Sequence, residues 1–256
     1  MKYKRPPIPP TPVKSYSHHQ ERTTTPFPTL NYEYKVYSHL KGYGIPQVYN
    51  FGHTETYNYM IMDLLGPSLD TQLLKHDCAF NLKLVIQLVD CIIQRLEHIH
   101  NHLFIHRDIK PENFCIGKNN PNCVYLIDFG LSKRYFDPKT MKHISFALNK
   151  RLIGTARYSS INSHLGCEQS RRDDIEGLGH MLIFLLKGHL PWERVPGFTM
   201  DERFSRIGQK KQTTSLEELC DKLPRQFLEY MKIARSLAFE EEPDYWKLRK
   251  LFWELY

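Results

Sequence analysis

The sequence predicts an α+β protein of two unequal lobes: a small region combining one helix with antiparallel strands, then a larger, mainly helical region. Three observations carry this. Apolar and aromatic residues gather in two short runs, 47–51 and 57–62, separated by the polar turn His53-Thr54-Glu55-Thr56, which reads as a hairpin. From Asn81 the pattern changes, because Val85, Leu88, Val89, Ile92, Leu96 and Ile99 recur at three- and four-residue spacing, the mark of a long, half-buried helix. Finally, 256 residues that are 41% hydrophobic and 25% charged can bury a real core, which argues against disordered, collagen-like and low-complexity classes.

Taken in order, the elements begin with a leader. Five of the 16 prolines fall in the first twelve residues, and a polar, threonine-rich stretch follows to Thr25, so residues 1–28 are expected to be poorly ordered and to lie outside the core. Thr29 can cap a helix carrying Leu30, Glu33, Val36, Tyr37 and Leu40, closed by Gly42 and Pro46. The hairpin completes a small first lobe over 29–65. A larger lobe over 66–256 holds the long helix, a short apolar run at 124–127, a second helical pattern at Ile175, Leu178, Leu182, Ile183 and Leu186, and short helices from about 215 onward.

Charge and cysteine usage narrow the function classes. The balance is +7, with Lys139, Lys142, Lys150, Arg151 and Arg157 in a stretch free of carboxylates between Asp137 and Glu168, and a second basic cluster at Arg203, Arg206, Lys210 and Lys211. Such clusters attract acidic partners, but they are not interleaved with stacking aromatics, so nucleic-acid binding is not expected. No apolar run approaches a membrane span and no secretory signal is evident, so a cytoplasmic or nuclear protein without membrane contact is expected. The six cysteines are scattered, signalling neither a disulfide framework nor a zinc site.

The chemistry lies in His106-Arg107-Asp108-Ile109-Lys110-Pro111-Glu112-Asn113, followed fifteen residues after Asn113 by Asp128-Phe129-Gly130. The ordered pair HRDxKxxN and DFG, joined by a short apolar run, is the signature of phosphoryl transfer, where catalysis is mostly positioning and charge neutralisation. Asn113 and Asp128 offer the oxygen ligands that Mg²⁺ prefers. Asp108 can accept the hydrogen bond of a substrate hydroxyl, and Lys110 can offset charge on the moving phosphoryl group.

On these motifs the sequence resembles the eukaryotic protein kinases, and within them the casein kinase 1 family. The second resemblance rests on Leu64-Leu65-Gly66-Pro67-Ser68-Leu69, on Gly154-Thr155-Ala156-Arg157-Tyr158, on Ser160-Ile161-Asn162 where most kinases have Ala-Pro-Glu, and on the segment from His164 through Ser170-Arg171-Arg172-Asp173-Asp174. It implies a two-lobed kinase-like fold and a monomeric serine/threonine kinase using ATP and Mg²⁺ on acidic or phosphorylated protein substrates. It also implies that Met62 is the gatekeeper, that Asp63, Leu64 and Leu65 form the adenine-binding hinge, and that Glu33 pairs with a phosphate-binding lysine. Asp174 would brace the catalytic loop. Arg157, with Lys150 and Arg203, would form a pocket for the substrate's anionic group, where the arginine fork suits phosphate.

The sequence departs from that family at its start. Neither a glycine-rich loop nor a Val-Ala-Ile-Lys strand is evident; Val13-Lys14 is the sole lysine candidate and sits nineteen residues before Glu33. The small lobe is therefore expected to be truncated, short by about the missing glycine-rich strands, and no regulatory C-terminal tail is expected. Three readings stay open: an active kinase whose recorded N-terminus is incomplete, a divergent kinase with weak catalysis, and a non-enzymatic module presenting a kinase C-lobe to phosphoproteins. The intact set Asp108, Lys110, Asn113 and Asp128 disfavours the third.

Overall fold

The computed structural model describes residues 16–255. Its first element is a strand, β1 (Tyr16–Arg22), followed by helix α1 (Leu30–His39) and the hairpin of β2 (Val48–His53) and β3 (Tyr57–Asp63). The strands form an antiparallel sheet in the order β1-β3-β2, with Tyr16 opposite Asp63 and Arg22 opposite Tyr57. The helix and hairpin match the sequence expectation, whereas β1 corrects it: the leader expected over 1–28 is not irregular throughout. Ser-His-His-Gln-Glu-Arg has no hydrophobic alternation and nothing local marks it as a strand. It is ordered by its ladder to β3, whose Tyr-Asn-Tyr-Met-Ile-Met core strongly favours extended backbone.

The start of α1 depends on the same strand. Thr29 stands at the N-cap as expected but makes no side-chain cap. Instead Glu21, projecting from β1, accepts the backbone N–H of Thr29 at 2.7 Å and of Leu30 at 3.3 Å. A carboxylate at this end satisfies two orphan donors and complements the helix dipole.

Beyond β3 come α2 (Leu69–Leu74) and α3 (Leu82–Asn101), the latter capped by the Asn81 side chain, which accepts the Leu84 N–H at 2.9 Å. Short strands follow: β4 (Phe104–Ile105), β5 (Phe114–Ile116), β6 (Val124–Leu126), β7 (Lys133–Arg134), β8 (Phe136–Asp137) and β9 (Lys142–His143), paired β4 with β7, β5 with β6 and β8 with β9. Helices α4 (Ile161–His164), α5 (Arg171–Lys187), α6 (Met200–Thr213), α7 (Leu216–Leu219), α8 (Arg225–Ser236) and α9 (Tyr245–Trp253) complete the larger lobe. Helix α5 is its axis: every residue from Asp173 to Leu185 is buried, and the Asp173 carboxylate, accepting the Ser170 N–H at 2.8 Å, fixes its start. No helix among the described residues is long and apolar enough to cross a membrane.

The two lobes share one core. Arg95, buried on α3, donates to the carbonyls of Val124 (3.0 Å) and Tyr43 (2.7 Å), and His98 on the same helix bonds the Leu40 carbonyl at 2.8 Å. These bonds tie the loop after α1 to the large lobe and so fix how α1 sits above the loops carrying the chemistry. Replacing Glu21 with Ala removes the cap on α1 and is expected to cost about 1–2 kcal/mol, whereas Glu21→Gln keeps an acceptor and costs less; thermal unfolding of the two variants against the parent measures the difference.

Candidate active site

The loop from His106 to Asn113 is held by one buried carboxylate. Asp174, in the first turn of α5, accepts the backbone N–H of His106 (2.7 Å) and of Arg107 (2.9 Å) and the imidazole N–H of His100 (2.9 Å). Burial works to raise its pKa, but the His100 and loop hydrogen bonds win and hold it below the usual carboxylate range. Arg107 takes a left-handed conformation at φ 69°, and a Cβ at Gly154 would collide with its carbonyl, so the activation segment can approach here only as glycine.

The braced loop presents Asp108. One carboxylate oxygen accepts the N–H (2.8 Å) and hydroxyl (2.7 Å) of Thr155, and the other pairs with Lys110 at 2.6 Å. The Asn113 amide donates to the Asp108 carbonyl at 2.9 Å. Burial favours the neutral acid, but the bonds from Lys110 and Thr155 outweigh it and depress the pKa. Asp108 is thus an oriented anion.

Asn113 and Asp128 are brought side by side by the β5–β6 pairing, continued by the Ile127 N–H to the Asn113 carbonyl at 2.9 Å. Asp128 is left-handed (φ 65°), with its N–H donated to the Tyr37 hydroxyl at 3.1 Å. Among the described residues no group of three or more His, Cys, Asp or Glu side chains could hold a metal ion. The pair fits a hard cation completed by phosphate and water, since the Asn113 NH₂ is spent on Asp108 and its amide oxygen remains an acceptor.

Glu33 reaches this centre by an unexpected route. It is 9% exposed, and its carboxylate accepts the Phe129 N–H at 3.2 Å. Among the described residues its partners are this amide and Tyr37 rather than a lysine, and Lys14 lies outside the described residues. Burial, reinforced by the charge of Asp128, pushes the Glu33 carboxyl up to about 7. Phe129 is fully buried, edge-on to Tyr37 at 5.0 Å and 5.2 Å from the His106 ring, so α1, the Asp128 turn and the catalytic loop form one packed column.

At the other end of the cleft Met62 is buried in the core. Asp63 still belongs to β3, its N–H bonded to the Gln47 carbonyl and its side chain accepting from Gln47 and Tyr49. Its carbonyl accepts the Ser17 hydroxyl at 3.2 Å. Leu64 and Leu65 follow as the crossing between lobes, tied down beyond by the Gly66 N–H to the Ile116 carbonyl at 2.8 Å.

The three basic residues expected to form an anion pocket have separate engagements. Lys150 shares Glu168 with Lys133, at 3.4 and 3.0 Å. Arg157 pairs with Glu193 at 2.9 Å and lies over the Phe184 ring, while Arg203 is exposed on α6. The segment bearing Arg157 is anchored from below by Lys211, which is fully buried and donates to the carbonyls of Ala156 (2.9 Å) and Ser159.

Fold and site together define the protein kinase class. A family model of the protein kinase domain matches residues 11–239, most of the chain, and the chain belongs to the protein kinase family.

Sequence reasoning missed three contributors. Thr155 lies inside a motif that was legible, yet its grip on Asp108 spans 47 residues. Lys211 stood in a basic run and is buried. Ser17 sat in a stretch with no strand pattern.

The raised Glu33 carboxyl gives a pH dependence. Folded Glu33 keeps its proton up to about 7 whereas the ordinary glutamate carboxyl loses it near 4.5, so its stabilising contribution is present below 4.5 and lost as pH rises through 7. Glu33→Gln, which keeps an acceptor for the Phe129 amide, is expected to melt higher than the parent at pH 8, by up to about 3 kcal/mol, and to converge with it near pH 4.5. Thermal melts of both proteins across that range provide the check.

Proposed function

We propose that this protein kinase transfers the γ-phosphate of ATP to serine or threonine hydroxyls of acidic or phospho-primed proteins, in the manner of the casein kinase 1 family, with its lobe boundary near residue 65. The observation that carries the reading is the fixed Asp108 anion, gripped by Thr155 on one oxygen and by Lys110 on the other. Asp108 accepts the hydrogen bond of the incoming hydroxyl and aims its oxygen at phosphorus. As the new O–P bond forms, the bond from phosphorus to the ADP oxygen breaks, ADP leaves with the electron pair, and the hydroxyl proton passes to the Asp108 carboxylate. Because its pKa is depressed, Asp108 acts first as an orienting acceptor, which suits a loose transition state in which bond breaking runs ahead of proton transfer. Lys110, already at Asp108, neutralises charge on the moving phosphoryl group. Asn113 and Asp128 would hold Mg²⁺, which supplies charge neutralisation on the nucleotide phosphates.

Substrate choice follows from the basic face. Arg157 carries a planar fork and a counter-ion, Glu193, that is itself partly exposed, so a phosphate on the substrate can exchange for it. Lys150 and Arg203 extend the positive field. The competing reading, a catalytically weak module that recognises phosphoproteins, is favoured by one feature: among the described residues Glu33 is met by a backbone amide instead of a lysine.

Two measurements test the reading. Transfer of labelled phosphate to an acidic serine peptide is expected for the parent, with Asp108→Asn reducing it by about 10²–10⁴ and Asp128→Asn abolishing it; a parent rate no greater than that of Asp128→Asn refutes catalysis. Arg157→Ala should reduce activity on a phospho-primed peptide far more than on its unprimed counterpart, and an equal loss on both refutes the pocket.

A further inference from the structure

Strand β1 runs along the roof of the cleft, and its pairing with β3 decides which side chains look inward. Side chains alternate along a strand, and directly opposed residues of an antiparallel pair share a face. Ser17, His19 and Glu21 are therefore on the same face as their partners Met62, Met60 and Asn58, and Met60 and Met62 are the buried residues of β3. Two of the three β1 side chains have partners that mark out the path. Ser17 donates to the Asp63 carbonyl at the hinge, and Glu21 caps α1, the helix that carries Glu33. His19 is halfway between them, between the adenine end of the cleft and its metal end.

Its surroundings agree with that position. Among the described residues, the charged group that acts on the His19 ring is Asp128, whose carboxylate favours the protonated form, although burial, the larger effect, lowers the pKa below the ordinary histidine value. Asp128 belongs to the turn expected to hold the metal and, through it, the nucleotide phosphates. His19 is itself an exposed residue of β1. In kinases the strand that leads into the glutamate-bearing helix supplies a lysine to the α- and β-phosphates. Here that strand offers an imidazole at the corresponding inward position, and no lysine lies within β1.

We propose that His19 is the side chain that meets the α- and β-phosphates of the bound nucleotide, in the place where the kinase signature calls for a lysine. This rests on the nucleotide-binding reading of the cleft but not on the transfer of phosphate. An imidazole N–H supplies one directed hydrogen bond where a lysine would supply a full charge and three donors. Nucleotide is therefore held here with less electrostatic help, and the site is tuned toward weaker phosphate binding rather than stripped of its donor.

The test is the affinity of the full chain for Mg-ADP and for adenosine, in the parent, His19→Ala, His19→Lys and His18→Lys. ADP carries both phosphates and no γ-phosphate to transfer; adenosine carries none. His18 lies on the outer face opposite Ile61, so His18→Lys adds the same charge in the wrong direction. The expected result is that His19→Lys binds Mg-ADP at least about tenfold more tightly than His19→Ala, with the parent between them, His18→Lys equal to the parent, and adenosine affinity alike in all four. The assignment is overturned if His19→Ala and His19→Lys bind Mg-ADP equally, if His18→Lys gains as much as His19→Lys, if adenosine follows the same order, or if Mg-ADP binding is undetectable even in His19→Lys. A parent that transfers no phosphate while the Mg-ADP ranking holds would sink the catalytic reading and leave this one standing.

Discussion

The geometry of this molecule depends on a single buried anion. Asp174 sits inside the large lobe, at the start of a helix buried along most of its length, and accepts three hydrogen bonds: two from the backbone of the catalytic loop and one from His100. A carboxylate this deep persists only because every bond it accepts favours its charged form. His100 is fixed in turn by Tyr245, whose hydroxyl donates to its other ring nitrogen at 2.7 Å. The loop bearing Asp108, Lys110 and Asn113 is thus pinned from within the core by the first turn of α5 and the start of α9.

From that anchor the order propagates upward by packing. His106, held by Asp174, lies against Phe129; Phe129 lies against Tyr37 on α1; and Glu33 on the same helix accepts the Phe129 amide. The small lobe closes the chain of contacts through Glu21, which fixes the start of α1 from β1. The Asp108 anion, the left-handed Asp128 turn and the helix that carries Glu33 are one mechanical unit. Its weakest charge balance is at Glu33, where a buried carboxyl faces Asp128 and burial has already raised its pKa to the edge of neutrality.

The activation segment is secured by a different device. Lys211 is wholly buried, and its ammonium is spent on the carbonyls of Ala156 and Ser159 rather than on a substrate. Burial depresses its pKa strongly, with Glu176 opposing that effect. The result is that Thr155 meets Asp108 on one side of the segment while Arg157 is turned outward to Glu193 on the other. Residues adjacent in sequence thereby serve the catalytic anion and the basic face separately.

Much of this was written locally. The HRDxKxxN and DFG spacing, the heptad-like stripe of α3 and the hairpin of β2 and β3 are short-range patterns, so the kinase class and the large lobe could be read from residues alone, as could the loop segments that bring Asp108, Lys110, Asn113 and Asp128 together. What could not be read were contacts whose partners lie far apart. Strand β1 has no periodicity of its own and exists because β3 offers it a ladder; Thr29 looked like the cap of α1, but Glu21 from β1 does the capping; Lys211 stood in a basic run and is buried; and the Phe129 amide, which Glu33 accepts, is a partner no local pattern announces. The sequence by itself determined the protein kinase class, because the motif residues that mark the family recur at fixed spacing on a loop. Only the tertiary structure decided which groups surround that chemistry, because burial and long-range hydrogen bonds, not local pattern, set which charge faces which.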